Sequence, residues 1–172
     1  MAVREIIVAP DPRLKAVSEP VDRVDDETRA LMDDMLETMY AARGIGLAAI
    51  QVGVPKRVIV MDLAGDGEEP QPRYFVNPEI FWHSGDTRAQ EEGCLSVPDL
   101  WETVERPERI RARYLDYDGE AREIEAEGML AVCLQHEIDH LNGVLFIDYL
   151  SKLKRNMMLR KLQKTKRLKV AG

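Results

Sequence analysis

His136-Glu137-Ile138-Asp139-His140 is the stretch from which the rest of this chain can be read. Residues four apart on a helix share a face about one turn apart, so the two imidazoles can grip one divalent ion. Glu137, beside the first histidine, can reach a water held there and accept its proton. The helix carrying these five residues is expected over residues 127–142, with Gly143 closing it. It is apolar on most sides (Leu130, Ala131, Val132, Leu134, Ile138, Leu141), which marks a central buried helix.

Two histidines leave an ion under-coordinated. The continuation Leu141-Asn142-Gly143 extends the match to H-E-x-x-H-x-x-G, the opening of a longer metalloprotease pattern, but Phe146 stands where that pattern needs a third histidine. The other large scheme takes a glutamate from downstream. After Glu137 this chain has none, and after Asp139 its only acid is Asp148. A zinc metallopeptidase of the HExxH type, the competing reading, therefore fails on ligand supply, and the third ligand is expected upstream.

Working outward, Asp25 or Asp26 can cap a first helix. Its Leu31, Met32, Met35, Leu36, Met39 and Tyr40 recur at three- and four-residue steps, and Gly44 is a natural stop. Residues 56–63 and 74–81 read as strands separated by a polar loop at 65–72. Residues 109–117 alternate, with Ile110, Ala112 and Tyr114 on one face and Arg109, Arg111 and Arg113 on the other. Asp118-Gly119 then turns the chain back through residues 122–127. Together these predict an α+β fold, with antiparallel or mixed β-sheets wrapped around a central metal-binding helix and a C-terminal helix at the end. A length of 172 residues suits one catalytic domain spanning 1–172.

Two cysteines are too few for a disulfide framework, and no apolar run approaches membrane-spanning length, so a soluble cytoplasmic enzyme with reduced thiols is expected. The net charge of −7 hides a segregation. Residues 151–172 carry nine Lys or Arg and no acid, leaving 15 bases against 31 acids, about −16, over residues 1–150. The tail reads as an amphipathic helix, with Leu150, Leu153 and Met157 on one face and Met158, Leu159 and Leu162 nearby. Either it docks with a solvated basic face or it meets a polyanion.

Glu92-Gly93-Cys94-Leu95-Ser96 is the best upstream source of a ligand. Taken alone, Cys94 would be read as an inert buried thiol. Beside an incomplete histidine pair it reads as a soft anionic ligand, since one cysteine with two histidines is a recognised catalytic set that leaves a fourth position open. Cys133, three residues before His136 on the same helix face, suits a pocket wall better than a ligand. His83 looks like a strand end without a role. Gly44-Ile45-Gly46-Leu47-Ala48-Ala49-Ile50-Gln51 adds glycines that let backbone amides approach a ligand, and Gln51 offers an uncharged donor suited to an oxyanion. By itself that segment is also an ordinary turn entering a strand.

G-I-G-L-A-A-I-Q, E-G-C-L-S and H-E-I-D-H, in this order and at these separations, resemble the three signature segments of bacterial-type peptide deformylase, and the similarity runs over essentially the whole chain. The resemblance implies Cys94, His136 and His140 as metal ligands and Glu137 as general base and acid. It implies Gln51 and the backbone N–H of Leu95 as the oxyanion site. The implied reaction removes the formyl group from the N-terminal methionine of nascent polypeptides, giving formate and a free amine. The implied ion is Fe2+, with Zn2+ or Ni2+ able to occupy the site, and a basic C-terminal helix can dock near the ribosomal exit tunnel. Ile45, Met129, Val132 and Cys133 could form an apolar slot for the methionine side chain, plain core packing being the alternative for Val132. The peptide backbone could pair along an edge near Gly46 and Gly93. Trp101 stands where some members carry a basic residue, and Gln90 replaces a more usual aliphatic.

Overall fold

Val58-Ile59-Val60-Met61 is buried at every position because helices cover both faces of the sheet it belongs to. The computed structural model describes residues 2–171, with side chains through Lys164. Asp25 caps helix α1 (Asp26–Ala41), its carboxylate accepting the backbone N–H of Thr28. Strand β1 (Gly46–Ala48) runs into a single 3-10 turn (Ala49–Val52), followed by β2 (Val58–Met61) and β3 (Arg73–His83). Then come β4 (Thr87–Cys94), β5 (Val97–Pro107), β6 (Arg109–Leu115) and β7 (Ala121–Glu127). Helix α2 (Gly128–Leu141), a 3-10 turn (Phe146–Tyr149) and helix α3 (Lys152–Ala171) complete the chain.

Five strands form one antiparallel sheet in the order β1-β2-β3-β6-β7, and β4 with β5 forms a separate hairpin. Ile59, Met61, Phe75, Ile110, Ala112 and Ala126 face α2, meeting Ala131, Leu134, Ile138 and Leu141. Val58, Val60 and Val76 face the other way onto Leu31, Met32, Met35 and Met39 of α1. A third cluster joins Ile7 and Leu14 to Val97 and Val104 of β5, to Phe146 and Ile147, and to Leu162 of α3. The α+β architecture, with α2 at its centre and a helix at its C-terminus, is the one expected.

One element went unread in the sequence, and one expectation needs correction. The β4–β5 hairpin does not stand out in the sequence, because Thr87–Cys94 is mostly polar and its burial follows no two-residue rhythm. The tail helix buries Leu162 and packs Leu150, Met158 and Leu159 against the third cluster, while Leu153 and Met157 stay 73% and 50% exposed. Residues 153/157 and 158/162 offer rival stripes of the same spacing, and the position of β5 selects between them. The tail's side chains beyond Lys164 lie outside the described residues.

Candidate active site

The site is built where three segments converge on α2. Gly46 lets β1 pass directly against the helix: a Cβ there would stand 2.9 Å from Cys133 Sγ and 3.2 Å from Glu137 Cδ. The 3-10 turn after β1 carries Gln51 inward, 1% exposed, with its Oε1 accepting the Ala48 backbone N–H at 2.9 Å. Its Nε2 donates to Ser96 Oγ at 3.0 Å and points at Cys94 Sγ at 3.6 Å. Cys94 ends β4, and Leu95 and Ser96 make the turn into β5. The Ser96 N–H also faces the sulfur, at 3.4 Å, so the Cys94 thiol lies among hydrogen-bond donors suited to a thiolate.

Cys94 Sγ and His140 Nε2 are 3.3 Å apart, and one donor atom from each of Cys94, His136 and His140 lies within 4.8 Å of the others. Donors about 2.0–2.3 Å from a tetrahedral ion stand roughly 3.3–3.8 Å from one another, so the three fit a single ion. His136 is fixed by its other nitrogen: Nδ1 lies 2.9 Å from Glu92 Oε1, leaving Nε2 for the site. His140 Nδ1 is enclosed without a hydrogen-bond partner among the described residues. Glu137 is 3% exposed, with Oε1 3.7 Å from His136 Nε2 and Oε2 without a partner among the described residues.

Burial disfavours the His136 imidazolium, but hydrogen bonds to Cys94 and Glu92 outweigh it and hold the pKa well above its usual value. Burial, then the charge on His136, pushes His140 well below its own. A positive charge is thus favoured on one histidine of the pair and disfavoured on the other, and metal binding displaces such a proton. Burial raises the Glu137 carboxyl to about 7, against the opposing pull of His136. Burial also pushes the Cys133 thiol up, which suits a wall residue.

A cleft of about 470 Å³ opens onto these groups, lined among others by Ile45, Gly46, Gly93, Met129, Val132 and Cys133. Every side-chain position expected to meet a peptide thus borders one cavity. Ile45 and Met129, 44% and 43% exposed, form the rim, while Val132 and Cys133 are buried in the wall. The Leu95 side chain covers Gly44, and the Trp101 ring packs against Gly93, where a Cβ would be only 2.5 Å from it. His83 ends β3 with Nδ1 3.1 Å from the Ser84 carbonyl, away from the site.

The sequence reading missed Glu92, Ser96 and Arg106. Arg106, 5% exposed, donates from Nε to Glu92 Oε2 at 2.7 Å and from Nη2 to Glu92 Oε1 at 2.9 Å. Burial opposes the Glu92 carboxylate, yet hydrogen bonds from His136 and Arg106 keep its pKa below the ordinary value. An acid directly ahead of a Gly-Cys ligand segment was the available signal for Glu92, since metal-binding histidines usually need a carboxylate behind them. Nothing local marks Arg106. Phe146, where the longer protease pattern would need histidine, stacks instead beside His136 with ring centroids 6.0 Å apart.

Fold and site together define a class: an α+β protein that can hold one transition-metal ion between a helix and a hairpin, beside a buried carboxylate. The polypeptide deformylase family model matches residues 3–156. The peptide deformylase of Phenylobacterium zucineum is 70% identical over 164 residues, covering 95% of this chain and 97% of that protein. That of Maricaulis maris is 65% identical over 169 residues, covering 98% and 97%. The crystal structure of peptide deformylase from Ehrlichia chaffeensis superposes with a TM-score of 0.94 at 46% identity, covering 98% of this chain and 99% of that one. The same protein in complex with actinonin gives 0.93 at 48%, covering 97% and 99%. This chain belongs to the polypeptide deformylase family, whose enzymes are metal-dependent, and the HExxH metallopeptidase reading is not favoured.

Proposed function

We propose that this protein hydrolyses the N-formyl group of nascent polypeptides beginning with formyl-methionine, releasing formate. The observation that carries this reading is the buried Glu137 carboxylate beside a Cys94/His136/His140 donor set at the floor of an apolar cleft. Those three residues would hold the metal. Fe2+ is the assigned ion, with Zn2+ or Ni2+ able to replace it, because a thiolate and two imidazoles suit all three. A divalent ion held there would supply Lewis acidity, drawing the pKa of a water down towards neutrality.

The chain's own residues carry the proton and the charge. Glu137 accepts the proton of the attacking water as its oxygen adds to the formyl carbon. Gln51 Nε2 and the Leu95 N–H meet the oxygen that gains negative charge. Glu137 then passes its proton to the departing amine, so the C–N bond breaks and formate leaves. Ile45, Met129, Val132 and Cys133 receive the methionine side chain, and the edges at Gly46 and Gly93 pair with the peptide backbone, which accommodates many sequences.

The whole of 1–172 acts as one catalytic unit. A cytoplasmic location follows from that substrate, and no helix among the described residues is long and apolar enough to cross a membrane. The basic face of α3 approaches the ribosome, where the substrate emerges. The deciding experiment measures formate released from a formyl-methionyl tripeptide by protein prepared without oxygen and loaded with Fe2+. Release is expected from wild type and not from Glu137→Ala; equal release from both would remove the assigned base, and none from loaded wild type would remove the function.

A further inference from the structure

Glu92 orients His136, and the side chains behind Glu92 form a continuous line to the surface. Arg106 grips Glu92 with Nε and Nη2, which fixes the guanidinium plane. Its remaining arm, Nη1, donates to Asp139 Oδ2 at 2.8 Å. The same oxygen accepts the Tyr149 hydroxyl at 2.8 Å, and the Arg106 Cζ lies 5.0 Å over the Tyr149 ring. Arg106 is thus held by two carboxylates in its plane and covered by an aromatic ring on one side. Its side chain is 5% exposed, against 19% for Asp139, and Tyr149 is 53% exposed.

The 3-10 turn Phe146–Tyr149 makes both ends of this arrangement, because Phe146 stacks beside His136 while Tyr149 closes over Arg106. Asp148 secures the turn, accepting from Leu145 N at 2.9 Å and pairing with Lys15. Only one of the two histidines is supported this way, since His140 has no partner at Nδ1 among the described residues. Bidentate Arg–carboxylate geometry tolerates little rotation. A guanidinium released at Nη1 loses its anchor outside that pair, so Arg106 and Glu92 can shift as one unit and carry the His136 ring with them.

We propose that Asp139 and Tyr149 are positioning residues for the metal centre, locking Arg106 so that Glu92 keeps His136 Nε2 directed at the ion. This rests on the metal site of the proposed function, but its test needs no substrate. Protein is loaded with Co2+, and transfer of the metal to a chelator is followed at the cobalt–thiolate absorption band, alongside thermal melts. Groups that orient a ligand typically change metal affinity 10–100-fold. Asp139→Asn is expected to release cobalt about ten times faster than wild type, and Tyr149→Phe, which keeps the ring and loses only the hydroxyl, at least about threefold faster. Arg122→Gln, which removes exposed pairs with Asp116 and Glu120, serves as the control and should release at the wild-type rate. Should Asp139→Asn not fold, Tyr149→Phe decides. Unchanged release in the variants, even with lowered melting temperature, overturns the proposal, as does equal acceleration in Arg122→Gln. A wild-type protein that takes up no cobalt would instead overturn the metal site itself.

Discussion

Glu137 is buried at the floor of the cleft, and that burial is what lifts its carboxyl to about 7. Its folded pKa exceeds the ordinary carboxyl value of 4.5, so in the metal-free protein the group costs nothing below pH 4.5, and stability is lost as pH rises through 7. Glutamine cannot titrate. Metal-free Glu137→Gln is therefore expected to be more stable than metal-free wild type by about 3 kcal/mol at pH 8, with the gap closing towards pH 4. Urea melts at the two pH values measure it, and a gap independent of pH would show that the carboxylate is not penalised as described. Gln51 makes the complementary case. Its Oε1 is tied to the backbone and one N–H to Ser96, leaving Nε2 beside Cys94 without being a ligand. Gln51→Ala should lower kcat by on the order of 10²–10³ with metal content unchanged; metal loss measured by elemental analysis would mean the amide supports the sulfur instead. Glu137 was legible because it sits inside a short segment whose chemistry is local, whereas Gln51, by itself a residue of an ordinary turn, was singled out through the resemblance of its segment. Glu92 and Arg106 were not, since their meaning depends on a pairing across the β4–β5 hairpin that no spacing rule reports.

Elements with a strict period were readable. Helix α1 announced itself through Leu31, Met32, Met35 and Met39, and the β6–β7 hairpin through alternating arginines and the Asp118-Gly119 turn, with Arg109, Arg111 and Arg113 lying opposite Glu127, Glu125 and Glu123. The β4–β5 hairpin hid because it buries charge: Glu92 and Arg106 point inward and satisfy each other, which erases the apolar alternation that marks a strand. Close approaches at two glycines separate stability from catalysis. Gly143 closes α2 at φ +75°, and a Cβ there would meet the Lys15 carbonyl oxygen at 2.4 Å. Neither the left-handed backbone nor the neighbouring main chain can yield cheaply, so Gly143→Ala should cost at least about 2 kcal/mol of stability in urea unfolding. At Gly46 the added carbon meets two side chains, Cys133 and Glu137, which can shift. Gly46→Ala should remain folded with a nearly unchanged melting temperature and lose most of its kcat, because the atom displaced belongs to the proposed base. A Gly46→Ala enzyme as active as wild type would show that Glu137 has room the structure denies it.

Across the whole molecule, charge is divided as sharply as structure. Residues 1–150 carry about −16, while 151–172 carry nine bases and no acid, so α3 is where a polyanion meets attraction rather than repulsion. The helix is anchored on its apolar side by Leu162, with Met158 and Leu159, which turns Lys152, Arg160 and Lys164 outward. Anchored in this way, it presents Lys152, Arg160 and Lys164 to solvent, and cations that meet RNA phosphates release counterions on binding. Changing Lys152, Arg160 and Lys164 together to Gln should weaken association with ribosomes and reduce the slope of log K against log salt by about two, at roughly 0.7–0.9 per lost contact. The third cluster and the cleft are untouched by these changes, so turnover of a short formyl-methionyl peptide should stay at the wild-type rate. Sedimentation of the enzyme with ribosomes at a series of salt concentrations gives the slope. If the slope is unchanged, α3 serves only to cover the third cluster, and the enzyme meets its substrate in free solution, with no electrostatic guidance from the particle that makes it.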